Sequence, residues 1–206
     1  MTQPTPSSSL NARRRRRTAR DIQNATLGLA LAHGFGHVTT GMIADAAGVS
    51  LRTFFNYFPN KEAALAGEPL RFKNFDFSWF RASRQPLLPD LERLLGEIVA
   101  DAGIDRERLC RIEELCRTDT NLQAVFANSL QGLVDQLADL LVARMGEDAR
   151  QTAELVAALV GRALANAYRA SVHDDEPTSD VVVRLTIRQI HAVGALLHPV
   201  DGDERG

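Results

Sequence analysis

Apolar positions recur at helical spacing along nearly the whole chain. The first set is Ile22, Ala25, Leu29 and Ala32, which predicts a helix from Thr18 that stops at Gly34. Two short helices are expected at Thr40 to Ala47 and Ser50 to Phe58. Pro59-Asn60 then opens another at Lys61, with Asn60 as its N-cap. Leu91, Leu94, Leu95, Ile98 and Val99 share one face of the stretch Leu87 to Ala102. Asp105 to Arg117, Asn121 to Met145 and Ala149 to Val172 repeat the pattern. An acidic loop, His173 to Pro177, precedes a last helix capped by Ser179 or Asp180 and ending near Leu197. Val181-Val182-Val183 favours a strand by composition, but Leu185, Gln189, Ala192, Val193 and Leu196 continue at helical spacing and outvote it. The expectation is an all-α protein of about nine helices, with no internal repeat.

The ends differ from this pattern. Residues 1–12 are rich in Pro and Ser and read as a mobile tail, followed by the run Arg13 to Arg17. Residues 1–17 are therefore expected to form a disordered basic arm, and residues 201–206 a disordered tail. Within the net charge of −2, residues 1–75 carry +6 and the remainder −8. A basic third on an acidic remainder suggests two tasks, the first with a polyanion. Arg16 and Arg17 are candidates for phosphate or minor-groove contact.

The 206 residues are 45% apolar, enough to bury a core. No apolar run approaches the roughly 20 residues of a membrane span, and no apolar stretch follows the arginines as in a secretory signal. Cys110 and Cys116 lack His or Cys neighbours at metal-ligand spacing and read as ordinary core or surface residues, a usage that fits the cytoplasm. The five histidines (His33, His37, His173, His191, His198) are scattered. With no nucleophile–base pair, paired carboxylates or Gly-rich phosphate loop, neither an enzyme, a metal site nor a cofactor is expected.

The chemistry concentrates in T-G-M-I-A-D-A-A-G-V-S-L-R-T-F-F-N-Y-F-P, from Thr40 to Pro59. Two short helices crossing steeply need a turn residue tolerant of positive φ, supplied by Gly48. They need a small residue where they touch, supplied by Ala44. Apolar contacts must hold the angle, and Ile43, Ala47, Val49 and Phe54 are placed for that. Ser50 can cap the second helix and Thr40 the first. Phe54 and Phe58 are expected in the core. This frame matches a helix-turn-helix.

The segment A-A-G-V-S-L-R-T-F-F-N-Y-F-P-N-K-E, with the preceding helix and its spacing to Thr40, resembles the N-terminal domain of TetR-family transcriptional repressors over about residues 18–65. The wording R-T-F-F-x-Y-F-P-x-K is also similar to a subset that includes mycofactocin-type regulators. The resemblance implies a DNA-binding domain at 18–66 and a ligand-binding and dimerisation domain at 67–200. It implies that Thr40 meets a phosphate, that Leu51, Arg52, Thr53 and Asn56 face the major groove after the Ser50 cap, and that Tyr57 and Lys61 hold flanking phosphates. Arg52 can pair with a guanine edge and Asn56 with an adenine, and at i, i+4 they share a helix face. Two positions depart from the family pattern. Phe55 stands where many relatives carry Tyr, so it cannot donate to a phosphate; it can touch a thymine methyl or simply pack. Arg52 stands where a small residue is common.

The implied function is that of a cytoplasmic bacterial regulator: a homodimer that represses from a palindromic double-stranded operator and is released by a small apolar or acyl-type effector. Phe72, Phe75, Phe77, Trp79 and Phe80 place five of the twelve aromatics within nine residues. They pack a core or form a pocket wall, which Phe126 and Tyr168 would join, with Arg111, Arg117 or Arg162 meeting an anionic end group. Ala157, Gly161 and Ala165 make a small-residue row that suits close helix approach. With Leu185, Gln189 and Ala192 they are the candidate dimer interface. A helical enzyme or carrier with a basic domain is the alternative class. A DNA-packaging protein is disfavoured by the acidic second half.

Overall fold

The computed structural model describes residues 6–69, 72, 75–103, 105–172 and 178–197. The first residues of the expected arm (1–5), the acidic loop His173 to Pro177, His198 and the tail at 201–206 lie outside the described residues. Among the described residues all regular structure is helical. The helices are α1 (Pro6–His33), α2 (Thr40–Ala46), α3 (Leu51–Tyr57), α4 (Lys61–Ala66), α5 (Ser78–Ala82), α6 (Leu87–Ala102), α7 (Arg106–Thr118), α8 (Thr120–Ser129), α9 (Gln131–Met145), α10 (Arg150–Ser171) and α11 (Ser179–Leu197). Short 3-10 turns occupy Phe35–His37 and Glu147–Ala149.

Two of these helices exceed the expected tally. The short α5 carries too few residues to show a period. The stretch expected as one helix over 121–145 is broken between α8 and α9. There Ser129 Oγ donates to the Phe126 carbonyl (2.7 Å) and Gly132 follows, both unfavourable to a continuous helix.

The arginine run, expected in a disordered arm, is helical, since α1 begins at Pro6. Pro is suited to the first helical position, and Ala and Arg propagate a helix well. The buried face of α1 is Ala19, Ile22, Gln23, Thr26, Leu27 and Ala30, one step round from the expected row; Ala32 is exposed.

The chain divides into two compact units: Met1–Pro69 with Cys110–Ser129, and Leu70–Leu109 with Leu130–Gly206. The first unit has two apolar clusters. One joins Ala19, Ile22, Val38, Ile43, Ala44, Phe54, Phe58 and Ala64. The other joins Leu27, Ala30 and Leu65 to Leu115 of α7 and Leu122 of α8, with Phe126 packed against it.

In the second unit α10 lies between α9 and α11, and α6 packs on α11. Leu91, Leu94, Leu95, Ile98 and Val99 of α6 are all buried, as their spacing predicts. The valine run is helical, and Val181, Val182 and Val183 are buried in α11. Its cap is Thr178 rather than Ser179 or Asp180, since Thr178 Oγ1 accepts from Val181 N at 3.3 Å. No helix among the described residues is long and apolar enough to cross a membrane.

Candidate nucleic-acid interface

The helix-turn-helix is built almost wholly by local interactions. Thr39, not Thr40, caps α2: its Oγ1 accepts from Met42 N at 3.2 Å. Thr40 is the first helical residue, where the backbone N–H has no partner within the helix. At the other end Ala47 N bonds the Ile43 carbonyl (2.9 Å) and Val49 N the Ala44 carbonyl (2.9 Å), while Gly48 turns the chain at φ 65°. A Cβ on Gly48 would meet nothing, so the backbone angle alone calls for glycine.

Ser50 then starts α3. Its Oγ accepts from Thr53 N at 3.0 Å and lies 2.8 Å from Thr53 Oγ1. Two of the candidate contact residues are thus held to each other by their hydroxyls. Phe54 is fully buried and Phe58 nearly so, their ring centroids 6.4 Å apart. That burial fixes the rotation of α3. With Phe54 inward, Leu51, Arg52, Phe55 and Asn56 point out and are exposed. The structure thus brings Thr40, Ser50, Leu51, Arg52, Thr53 and Asn56 onto one two-helix unit.

Tyr57 and Lys61 are placed differently. Tyr57 is half-buried against the core cluster, with the Arg15 guanidinium 4.8 Å above its ring. Arg15 also lies 3.9 Å from a Glu68 carboxylate oxygen. Lys61 Nζ donates to the carbonyls of Phe35 (3.0 Å), Gly36 (3.4 Å) and Val38 (2.9 Å). A phosphate contact through Lys61 would have to compete with these three carbonyls.

Arg15 was missed in the sequence. Its signal was available once α1 is extended backward, because Arg15 precedes Ile22 by two turns and therefore faces the domain. Arg13, Arg16, Arg17 and Arg20, with Asp21 and Asn24, instead line one shallow outward concavity on α1. This row holds the two candidates Arg16 and Arg17.

In the second unit Phe72, Phe75, Phe77, Trp79 and Phe80 form one aromatic chain with neighbouring centroids 5.3–6.4 Å apart. Trp79 Nε1 is buried and finds no acceptor among the described residues. Tyr168 packs against the same core, and its burial pushes the hydroxyl pKa up to about 12. Phe126, expected beside them, belongs to the first unit, as does the exposed Arg117. Of the residues expected at the pocket wall, Tyr168 shares the core of the aromatic chain, and Phe126 packs instead against the cluster of Leu27, Ala30, Leu65, Leu115 and Leu122.

Two members of the small-residue row pack inside the chain. Ala157 and Gly161 are buried within the chain, and a Cβ on Gly161 would collide with Val134 Cγ2 of α9. The lack of a side chain at Gly161 serves the packing of α10 on α9. Ala165, Leu185 and Gln189 are half-buried and Ala192 is exposed. Asn166 Nδ2 donates to Gln189 Oε1 at 3.2 Å, tying α10 to α11.

Residues 22–66 match the model of the family described as bacterial regulatory proteins, tetR family. The chain is 37% identical over 87 residues to a putative mycofactocin biosynthesis transcriptional regulator, MftR, of Mycobacterium tuberculosis (strain ATCC 25618 / H37Rv). That match covers 42% of this chain and spans 40% of the length of the relative. Among solved structures, the fatty acid degradation regulator FadR from Bacillus halodurans aligns over 96% of this chain and 100% of its own. The TM-score is 0.42 and the identity 18%.

Proposed function

We propose that the chain, whose residues 22–66 match the model of the tetR family of bacterial regulatory proteins, binds a specific DNA operator and controls transcription from it. The observation that carries this reading is the orientation of α3. The buried Phe54 turns Arg52 and Asn56 outward together on a rigid, doubly capped helix pair. Arg52 can bond a guanine O6/N7 edge and Asn56 an adenine N6/N7 edge, each giving about 1–3 kcal/mol of discrimination. Thr40, Ser50 and Thr53 sit beside them for phosphate or base contact. The outward row with Arg16 and Arg17 adds sequence-independent attraction to phosphates.

The regulator acts as a homodimer on a pseudo-palindromic site, with two recognition helices about one DNA turn apart. Exposed apolar side chains on α10 and α11 support that assembly: Leu155 is 72% and Leu196 85% exposed, with Ala192 also open. It represses, and a small apolar or acyl-type effector held in the second unit releases it. The unpartnered Trp79 N–H supports an effector with a polar end. A buried donor left unmatched costs about 1–3 kcal/mol, which a ligand acceptor would recover.

The test is selection of duplexes from a random pool by the full-length protein, followed by fluorescence-anisotropy titration. One preferred palindrome, bound in a salt-sensitive manner and discriminated less well by Arg52→Ala, is the expected result. Equal affinity for every duplex would overturn the reading.

A further inference from the structure

The outward face of α3 carries an apolar row that the fold leaves half exposed. Leu51 and Phe55 stand at i, i+4, and they are 47% and 50% exposed. They run beside the polar row Arg52 and Asn56, a quarter-turn round the same short helix. Phe55 is not loosely placed. Its ring meets the buried Phe54 edge-to-face, centroids 5.3 Å apart at 86°, so one side is braced and the other open.

We propose that Leu51 and Phe55 read the 5-methyl groups of thymines in the major groove, making them specificity-determining residues beside Arg52 and Asn56. This inference rests on the operator-binding reading above. The thymine methyl is the apolar group that base pairs present in the major groove, and it flanks the edges that Arg and Asn recognise. A braced, half-open phenyl ring without a hydroxyl cannot donate to a phosphate, but it can cover a methyl. Leu51, one turn away, offers a second apolar surface for another base step. Charge complementarity favours DNA as the occupant. The flanking group on α3 is a guanidinium, and α1 in the same unit adds the outward row Arg13, Arg16, Arg17 and Arg20. Two side chains hemmed by Arg and Asn also give an apolar patch far smaller than those that mark protein-binding surfaces.

The test replaces thymine by deoxyuridine, position by position, in the selected operator. Deoxyuridine keeps every hydrogen-bonding group and loses only the methyl. Each contacted methyl should then be worth about fourfold in Kd for the wild-type protein. Replacing the symmetric pair in both half-sites should multiply the two effects. Phe55→Ala should bind thymine and uracil operators alike at its own positions, and Leu51→Ala likewise at others, while both keep the preference set by Arg52. The uracil scan on wild-type protein needs no variant, so a poorly folded Phe55→Ala does not blunt it. Wild-type binding that ignores uracil at every position would overturn the proposal. So would uracil sensitivity that survives intact in both variants. If no duplex is preferred at all, the operator reading itself has failed, a distinct result.

Discussion

Lys61 Nζ lies 2.9 Å from the carbonyl oxygen of Val38, and the ammonium is spent on backbone. The carbonyls of Phe35 and Gly36 complete the set, and the Phe35 ring lies 4.7 Å from the nitrogen. Lys61 thus ties the start of α4 to the turn that launches α2. It holds carbonyls at the end of the 3-10 turn Phe35–His37, much as a cation near a helix C-terminus would. Bonds from a charged donor of this kind contribute about 1.5–3 kcal/mol net. Lys61→Met should therefore lower stability by about 2 kcal/mol in a thermal melt. Its operator affinity should show an unchanged dependence on salt. A slope reduced by about one, with an unaltered melt, would instead put Lys61 on a phosphate.

Gly67 closes α4 at φ 85° and ψ −174°, a region that side chains avoid at a cost of about 1–3 kcal/mol. A Cβ there would also strike the side-chain amide of Gln23, which donates to the carbonyls of Leu65 (3.2 Å) and Ala66 (3.0 Å). Both penalties fall on the α1–α4 contact. Gly67→Ala should lower the urea midpoint by the equivalent of about 2–3 kcal/mol with the m-value unchanged. A midpoint within error of wild type would show that the turn can relax elsewhere.

How much of this was legible in the sequence follows from the range of each interaction. Gly48, Ser50 and Asn60 act on residues within three positions, and their conformations and caps are those the pattern predicts. Phe54 and Phe58 follow from the same frame. Thr39 and Thr40 are equally good caps in composition, and only the backbone separates them. Lys61 and Gln23 act on partners 23 to 43 positions away, and no local period encodes such partners. The arginine run has the charge of a phosphate-binding arm, yet Arg and Ala are also strong helix formers.

Gly161 faces Val134 so closely that any side chain must displace it. Gly161→Ala should overpack α9 against α10 and cost about 1–3 kcal/mol. It should leave the sedimentation coefficient unchanged. Leu155→Glu, at a site 72% exposed, should lower the dimer fraction in the same sedimentation experiment. The opposite pattern, dissociation by Gly161→Ala with Leu155→Glu silent, would return the small-residue row to the subunit interface.

Acid should weaken the contact between α6 and α9. Asp90 opens α6 and meets Arg144 of α9 at 2.7 Å, both side chains largely buried. Arg144 also donates to the Gln85 carbonyl (2.6 Å) and lies over the Phe80 ring (4.8 Å). The Ser83 hydroxyl, first, and then Arg144 hold the Asp90 carboxyl below its ordinary value of 3.8, against the opposing effect of burial. A carboxylate whose folded pKa is depressed stabilises fully above its unfolded value. That contribution is lost as pH falls through 3.8 toward the lower folded value. Urea titrations of wild type should therefore show a steep loss of stability below about pH 4. Asp90→Asn leaves Arg144 buried without a counter-charge and should cost about 3 kcal/mol at pH 7. Its stability should change less with acid, so that the two curves approach each other near pH 3. Ser83→Ala should fall between them, because it removes a hydrogen bond but no charge. Parallel curves for wild type and Asp90→Asn down to pH 3 would assign the acid transition to other carboxylates.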